Sequence, residues 1–328
     1  MSAIADSTRS HSTSQPSPQP SPQPKRKGAF ASQNRRREMF AALGFLAPSL
    51  LGFLVFMAGP LLASLGVALV EWNLLASPKW LGLQNFWQLV HDEDFWHSLR
   101  ATFYYMAGSV PLSIVAALAL AMLLNQKIRG IGIYRTLYFI PVVSSMIAVA
   151  LMWRWIYNPT AGILNYMLNA TFAFLHLPLE APDWLQSRTW AMPAIIFMSV
   201  WKGLGYNMVL FLAGLQGIPS HLYEAAEIDG ATAWRKFWHI TLPLLTPTTF
   251  FIVIIAIIGS FQIFEQAYIM TQGGPARSTV TTVYYIYENG FQWYKMGYAS
   301  AVAWVLFAMI LAVTLLQWRY QERWVFYE

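Results

Sequence analysis

Between residues 224 and 247 the chain reads EAAEIDGATAWRKFWHITLPLLTP, which sets three acids, two bases and a glycine between two long apolar runs. Only 11% of the sequence is charged, so this concentration requires a reason. A second polar set lies within the apolar runs: Ser199, Lys202, Tyr206 and Asn207 in one, and Ser260, Gln262, Glu265 and Gln266 in the next. These groups suit hydrogen bonding to a hydroxylated solute, with Tyr206 able to stack on a ring. They also suit bonds between packed helices, with Lys202 and Glu265 offsetting charge. Bond-making chemistry has little to work with. The six histidines are dispersed and form no H-E-x-x-H pair, and no G-x-x-x-x-G-K-[ST] phosphate loop occurs. The adjacent acids Asp92, Glu93 and Asp94 lack the spacing of a calcium loop. With no cysteine there is neither a thiolate site nor a disulfide. We therefore expect no catalytic residue, no metal site and no cofactor bound by this chain.

The elements that must carry these residues follow from composition. At 56% hydrophobic, with 21 Phe, 15 Trp and 16 Tyr, the 328 residues expose too much apolar surface for water. Windows of about 20 apolar residues predict six membrane spans near 43–70, 99–124, 137–157, 190–215, 246–271 and 298–318. The fold expected is all-α and polytopic. Fourteen Lys or Arg fall in the tail, in 125–136, in 216–245 and in the last ten residues, whereas the three alternate loops hold four: Lys79, Arg188, Arg277 and Lys295. That asymmetry puts both termini in the cytoplasm. It also accounts for the net charge of +6 without nucleic acid, since no basic stripe marks a folded domain. Residues 1–38, rich in Pro, Ser and Gln, are expected to be a disordered cytoplasmic tail. The remainder, 39–328, is expected to be one membrane-spanning domain that carries the charged loop 216–245.

Within that loop Ser220 suits an N-cap, Gly230 a left-handed helix stop, and Thr232 the cap of a second helix bearing Trp234, Phe237 and Trp238. Pro243 suits the first turn of span 5. Two roles fit such a pair: an amphipathic linker on lipid headgroups, or a rigid attachment to a partner. On ideal wheels Ser199, Lys202 and Tyr206 share one face, and Gln262 aligns with Glu265 and Gln266.

Glu224, Ala225 and Ala226, then Gly230, Ile240, Leu242 and Pro243, match without a gap the EAA loop of permease subunits in binding-protein-dependent ABC importers. NPTAGILN (158–165), GLQGIPSHLYEAAEIDGA (214–231) and TQGGPARSTVTTVYYIYENGF (271–291) resemble the carbohydrate-uptake branch, with maltose-type and glycerol-3-phosphate-type permeases among its members. The resemblance spans roughly 40 to 320. It implies an ABC importer permease fold in a prokaryotic plasma membrane, with a second permease, an external solute-binding protein and separate ATPase subunits that use ATP and Mg. The loop would dock in a cleft of the ATPase, with Glu224, Ala225, Ala226 and Gly230 as its core. The solute would be a sugar or a related polyol or glycoside, taken up between spans 4 and 5. Competing readings are an ion-coupled secondary transporter and a membrane enzyme of glycan metabolism.

Overall fold

A computed structural model describes residues 28–126, 129–322 and 325. Residues 1–27 of the expected tail lie outside these. Helix α1 (Gly28–Phe53) already includes 28–38, so this part of the tail is helical rather than unstructured. Its Ala, Gln, Arg, Glu and Met residues are good helix formers that extend the helix of the following apolar run. A π-helical turn, Leu54–Ala58, leads into α2 (Gly59–Ala68). Pro60 accounts for the widened turn, because its ring has no donor and crowds the carbonyl four residues back. The stretch Glu38–Ala68 is long and apolar enough to cross a membrane.

From Leu61 onward the chain forms a compact unit of its own. The strands β1 (Val70–Glu71) and β2 (Lys79–Trp80) pair antiparallel, Val70 opposite Trp80, and are followed by the short α3 (Gln84–Val90). Helix α4 (Glu93–Leu124) starts at Asp92, whose carboxylate accepts from the amides of Asp94 at 3.0 Å and Phe95 at 3.4 Å. Helices α5 (Ile131–Val143) and α6 (Met146–Ile156) meet at a 100° bend. After α7 (Ile163–Phe174) comes the long α8 (Ala191–Gly217). Then follow α9 (Ser220–Ile228), α10 (Ala233–Lys236), a π turn (Phe237–Thr241), α11 (Leu242–Leu244) and α12 (Thr246–Phe261). The chain closes with α13 (Glu265–Thr271), α14 (Thr282–Tyr287), a π turn (Glu288–Gln292) and α15 (Met296–Gln321).

Among the described residues four helical stretches are single candidate spans, and there are up to six spans if each of two bent pairs counts as one. Two expected spans are broken. Span 3, expected as one helix over 137–157, begins at Ile131 and folds at Ser144 and Ser145, both of extended ψ. Pro141 and two serines whose hydroxyls compete for backbone partners weaken the helix there, and Ser144 Oγ donates to the Ile140 carbonyl at 3.1 Å. Span 5, expected to continue to 271, stops at Phe261. The carbonyl of Ile263 freed by the break accepts from Thr281 Oγ1 at 2.7 Å, a partner supplied from 18 residues away.

Two apolar cores hold the unit together. The first gathers Phe95, Tyr105, Trp153, Ile195, Met198 and Tyr284, at the N-terminal ends of α4 and α8. The second gathers Ala117, Ala121, Met208, Phe211, Leu245 and Ile252, toward their C-terminal ends. Helix α8 packs closely on α5 at Gly205, where a Cβ would overlap the Tyr138 carbonyl oxygen. No larger residue fits without moving backbone.

Candidate functional site

The charged loop is a preformed helical pair. Pro219, extended at ψ 130°, is the N-cap residue of α9, so Ser220 opens the helix instead of capping it and makes no side-chain cap bond. At the far end Gly230 adopts φ +72°. Its amide donates to the Glu227 carbonyl at 3.0 Å and that of Ala231 to the Ala226 carbonyl at 2.8 Å, which is the Schellman pattern of bonds. A Cβ at Gly230 would meet nothing within 4 Å, so conformation rather than crowding calls for glycine. Thr232 Oγ1 then accepts from the Arg235 amide at 3.4 Å, capping α10 as expected.

Two contacts brace the pair. Lys236 Nζ lies 2.6 Å from Glu227 Oε1, and the hydroxyls of Tyr223 and Thr241 are 2.9 Å apart. Glu224 and Ala225 are exposed and Ala226 is half-buried; Ile240, Leu242 and Pro243 are half-buried where the loop rejoins the bundle. Pro243 lies in α11 and not in the first turn of span 5, because a 62° bend at the fully buried Leu245 separates α11 from α12. Glu224 and Ile228, one turn apart on α9, therefore stand in solvent, with Ile228 87% exposed and Trp234 of α10 70% exposed.

Between the two apolar cores α4, α8 and α12 leave a partly open cavity of about 240 Å³. Ser199, Asn207 and Ser260 line it, and α4 adds Tyr105, Ser109 and Ser113, which sequence reasoning missed. The Ser109 and Ser260 hydroxyls come within 3.4 Å across the α4–α12 contact. Small residues provide the space: Gly203 on α8, Ala256 and Gly259 on α12. At about 1.5 Å per residue, Gly203 is about 18 Å along α8, near mid-span. The signal in α4 was present as Tyr105, Ser109 and Ser113 at successive turns.

The other expected path residues lie elsewhere. The face of α8 toward the cavity is Ser199, Gly203 and Asn207, with i, i+4, i+8 spacing, which turns Lys202 and Tyr206 to its flanks. Lys202 Nζ instead donates to the Val142 carbonyl at 3.4 Å, in the last turn of α5 before its break. A cation there complements the negative end of the helix. Tyr206 is 42% exposed. Gln262 falls at the end of α12 and Glu265 and Gln266 open a separate helix, so the wheel that aligned them does not apply. None of the three lines the cavity.

A polar wall stands at the opposite end of α4 from the loop. Asp92 accepts hydrogen bonds from the hydroxyls of Tyr285 and Tyr298. Burial alone would raise its pKa, but these two donors and the amides of Asp94 and Phe95 outweigh it and hold the carboxyl below its ordinary range. Burial, with the hydrogen bond to Asp92, pushes Tyr285 up to about 12. Arg277, at φ +60°, lies 2.9 Å from Glu288 and 3.5 Å from Asp94, and its carbonyl contacts His97 Nε2 at 3.1 Å.

Residues 97–325 match the profile of the family described as binding-protein-dependent transport system inner membrane component. The chain belongs to this family. The probable ABC transporter permease protein YesP of Bacillus subtilis is 38% identical over 301 residues, covering 90% of this chain and 95% of its own length. The lactose transport system permease protein LacF of Rhizobium radiobacter is 36% identical, covering 83% and 91%. In fold, the permease resembles a chain from the crystal structure of a bacterial ABC transporter involved in the import of the acidic polysaccharide alginate. The TM-score is 0.76 at 23% identity, over 90% of this chain and 99% of that one. As an inner-membrane component of this family, the chain is a transport protein.

Proposed function

We propose that this chain is the membrane-spanning subunit of an ATP-driven importer, passing a sugar or a related polyol or glycoside handed over by an external binding protein. One observation carries the reading: the exposed helical loop is bracketed by α8 and α12, and these same two helices wall the polar mid-span cavity. Movement of the loop therefore moves the cavity walls, which is the mechanical requirement of alternating access. Family membership supports the partners: separate ATPase subunits that bind ATP and Mg, and a second permease completing the path. The cavity's hydroxyls and the Asn207 amide suit a polyhydroxylated solute, and the likeness to a lactose permease supports that class. Glu224, Ala225, Ala226 and Gly230 form the core of the attachment, with Ile228 and Trp234 as exposed apolar anchors for an ATPase cleft. Both termini then lie in the cytoplasm.

Reconstitution tests this. The chain is placed in proteoliposomes with its ATPase, second permease and binding protein, and uptake of a panel of radiolabelled mono- and disaccharides is measured. Uptake should require internal ATP and the ATPase. Uptake by the chain alone under a proton or sodium gradient would contradict the reading.

A further inference from the structure

A cleft of about 640 Å³ opens beside the Asp92 wall, at the opposite end of α4 from the charged loop. One side is a single face of α3 continued past its end: Gln84, Trp87, Gln88 and His91 recur at i, i+3, i+4 and i+7. The indole of Trp87 is 70% exposed and meets His91 at 4.7 Å on one side. The side-chain amides of Gln84 and Gln88 are exposed and make no hydrogen bond among the described residues. The facing wall is fixed. Asp92 is saturated by two tyrosine hydroxyls and two backbone amides, while Trp293 carries Lys295 at 5.7 Å and Arg277 at 5.9 Å over its ring.

The groups left open include one indole face and two side-chain amides, held against a rigid polar wall, with the exposed Glu93 and Lys295 also on the lining. A tryptophan of an interfacial belt needs only lipid headgroups around it, and two unpaired amides aimed into the same cleft do not belong to that role. An indole flanked by bidentate amides is the chemistry that reads a pyranose, with the ring's C–H face on the indole and adjacent hydroxyls on each amide. From this we infer that the α3 cleft is a saccharide subsite on the external face, distinct from the mid-span cavity, where one sugar residue rests before or during delivery. The inference rests on the importer reading for its orientation and solute class.

The test uses the assembled permease–ATPase complex in nanodiscs, without binding protein or nucleotide, and a lactose bearing a photoreactive diazirine. Labelled peptides are mapped by mass spectrometry. Label should fall on segments 84–98 and 285–298, be competed by excess lactose, and drop at least five-fold in both Trp87→Ala and Gln88→Ala. Label at the mid-span segments 105–113 and 199–207 should be unchanged in these variants. Absence of competable label on 84–98, or label there unaffected by both substitutions, overturns the subsite. Loss of the mid-span label alone leaves the subsite standing and counts against the importer reading instead.

Discussion

The hydroxyl of Tyr223, one residue ahead of Glu224, lies 2.9 Å from that of Thr241 across the base of the charged loop. Thr241 is buried at the end of the π turn, so the bond fastens α9 to the segment that leads into α12. Such a hydrogen bond is worth about 0.5–1.5 kcal/mol net. If it transmits force between loop and bundle, Tyr223→Phe and Thr241→Val should each lower binding-protein-stimulated ATP hydrolysis by roughly two- to ten-fold, the range that this free energy corresponds to. Complex assembly should be unaffected, and the double variant should be no worse than either single one. Stimulation assays on the purified complex read both.

The exposed Glu227–Lys236 pair is the weaker brace, with Glu227 64% exposed, and screening leaves such pairs about 0–1 kcal/mol.

Orientation is open to a direct check because the chain has no cysteine of its own. Ala276 and Ala233 are both exposed, in the segment before α14 and at the start of α10. A cysteine at Ala276 should react with a membrane-impermeant maleimide from outside intact cells, and one at Ala233 only after permeabilisation. The reverse pattern would place the termini outside.

The Asp92 wall predicts a pH window. Its folded pKa is depressed, so its contribution is present above the ordinary aspartate value of about 3.9 and is lost as pH falls through the lower folded value. Tyr285 is raised to about 12, so its contribution is present below the ordinary value of about 10 and is lost as pH rises through about 12. Asp92→Asn should cost on the order of 1 kcal/mol near neutral pH, after allowance for partial solvent screening. Thermal unfolding of wild type and variant should converge below about pH 4 as the wild-type carboxyl protonates. A gap that stays constant from pH 7 to 3 would assign the effect to shape rather than charge.

Much of this arrangement was legible in the residues. The helix, turn and helix across the charged loop were legible from its caps, because Gly230 suits a left-handed stop and Thr232 a cap, and both serve so, whereas the docking role of Glu224 through Pro243 came only from the family resemblance. The cavity was half legible. Ser199, Asn207 and Ser260 declare themselves as polar groups at depth, but which face turns inward depends on neighbours. A wheel cannot know that Gly205 lets α5 press against α8, or that a break at Ser144 frees the Val142 carbonyl that claims Lys202. Likewise Gln262, Glu265 and Gln266 align only if the helix continues, and Thr281 stabilises its interruption from a distant segment. Local propensity fixed the loop, whereas tertiary partners fixed the breaks.

That difference yields a prediction for the solute path. Asn207→Leu removes the amide from the cavity, and uptake should fall at least ten-fold with assembly and basal ATP hydrolysis near normal. Gln262→Leu, away from the cavity, should transport within about two-fold of wild type. The opposite ranking, measured at limiting solute, would place the path along α13 instead.

In the proposed mechanism an exposed, preformed loop passes ATPase motion to the helices that wall the cavity. Binding-protein-stimulated ATP hydrolysis in the reconstituted complex tests it most directly, with Glu224→Lys reversing a contact charge and Gly230→Pro forbidding φ +72°. We expect both variants to insert into the membrane normally yet lose the stimulation, through failed ATPase association or through uncoupling. An intact complex whose stimulated hydrolysis is unchanged in both variants would contradict it.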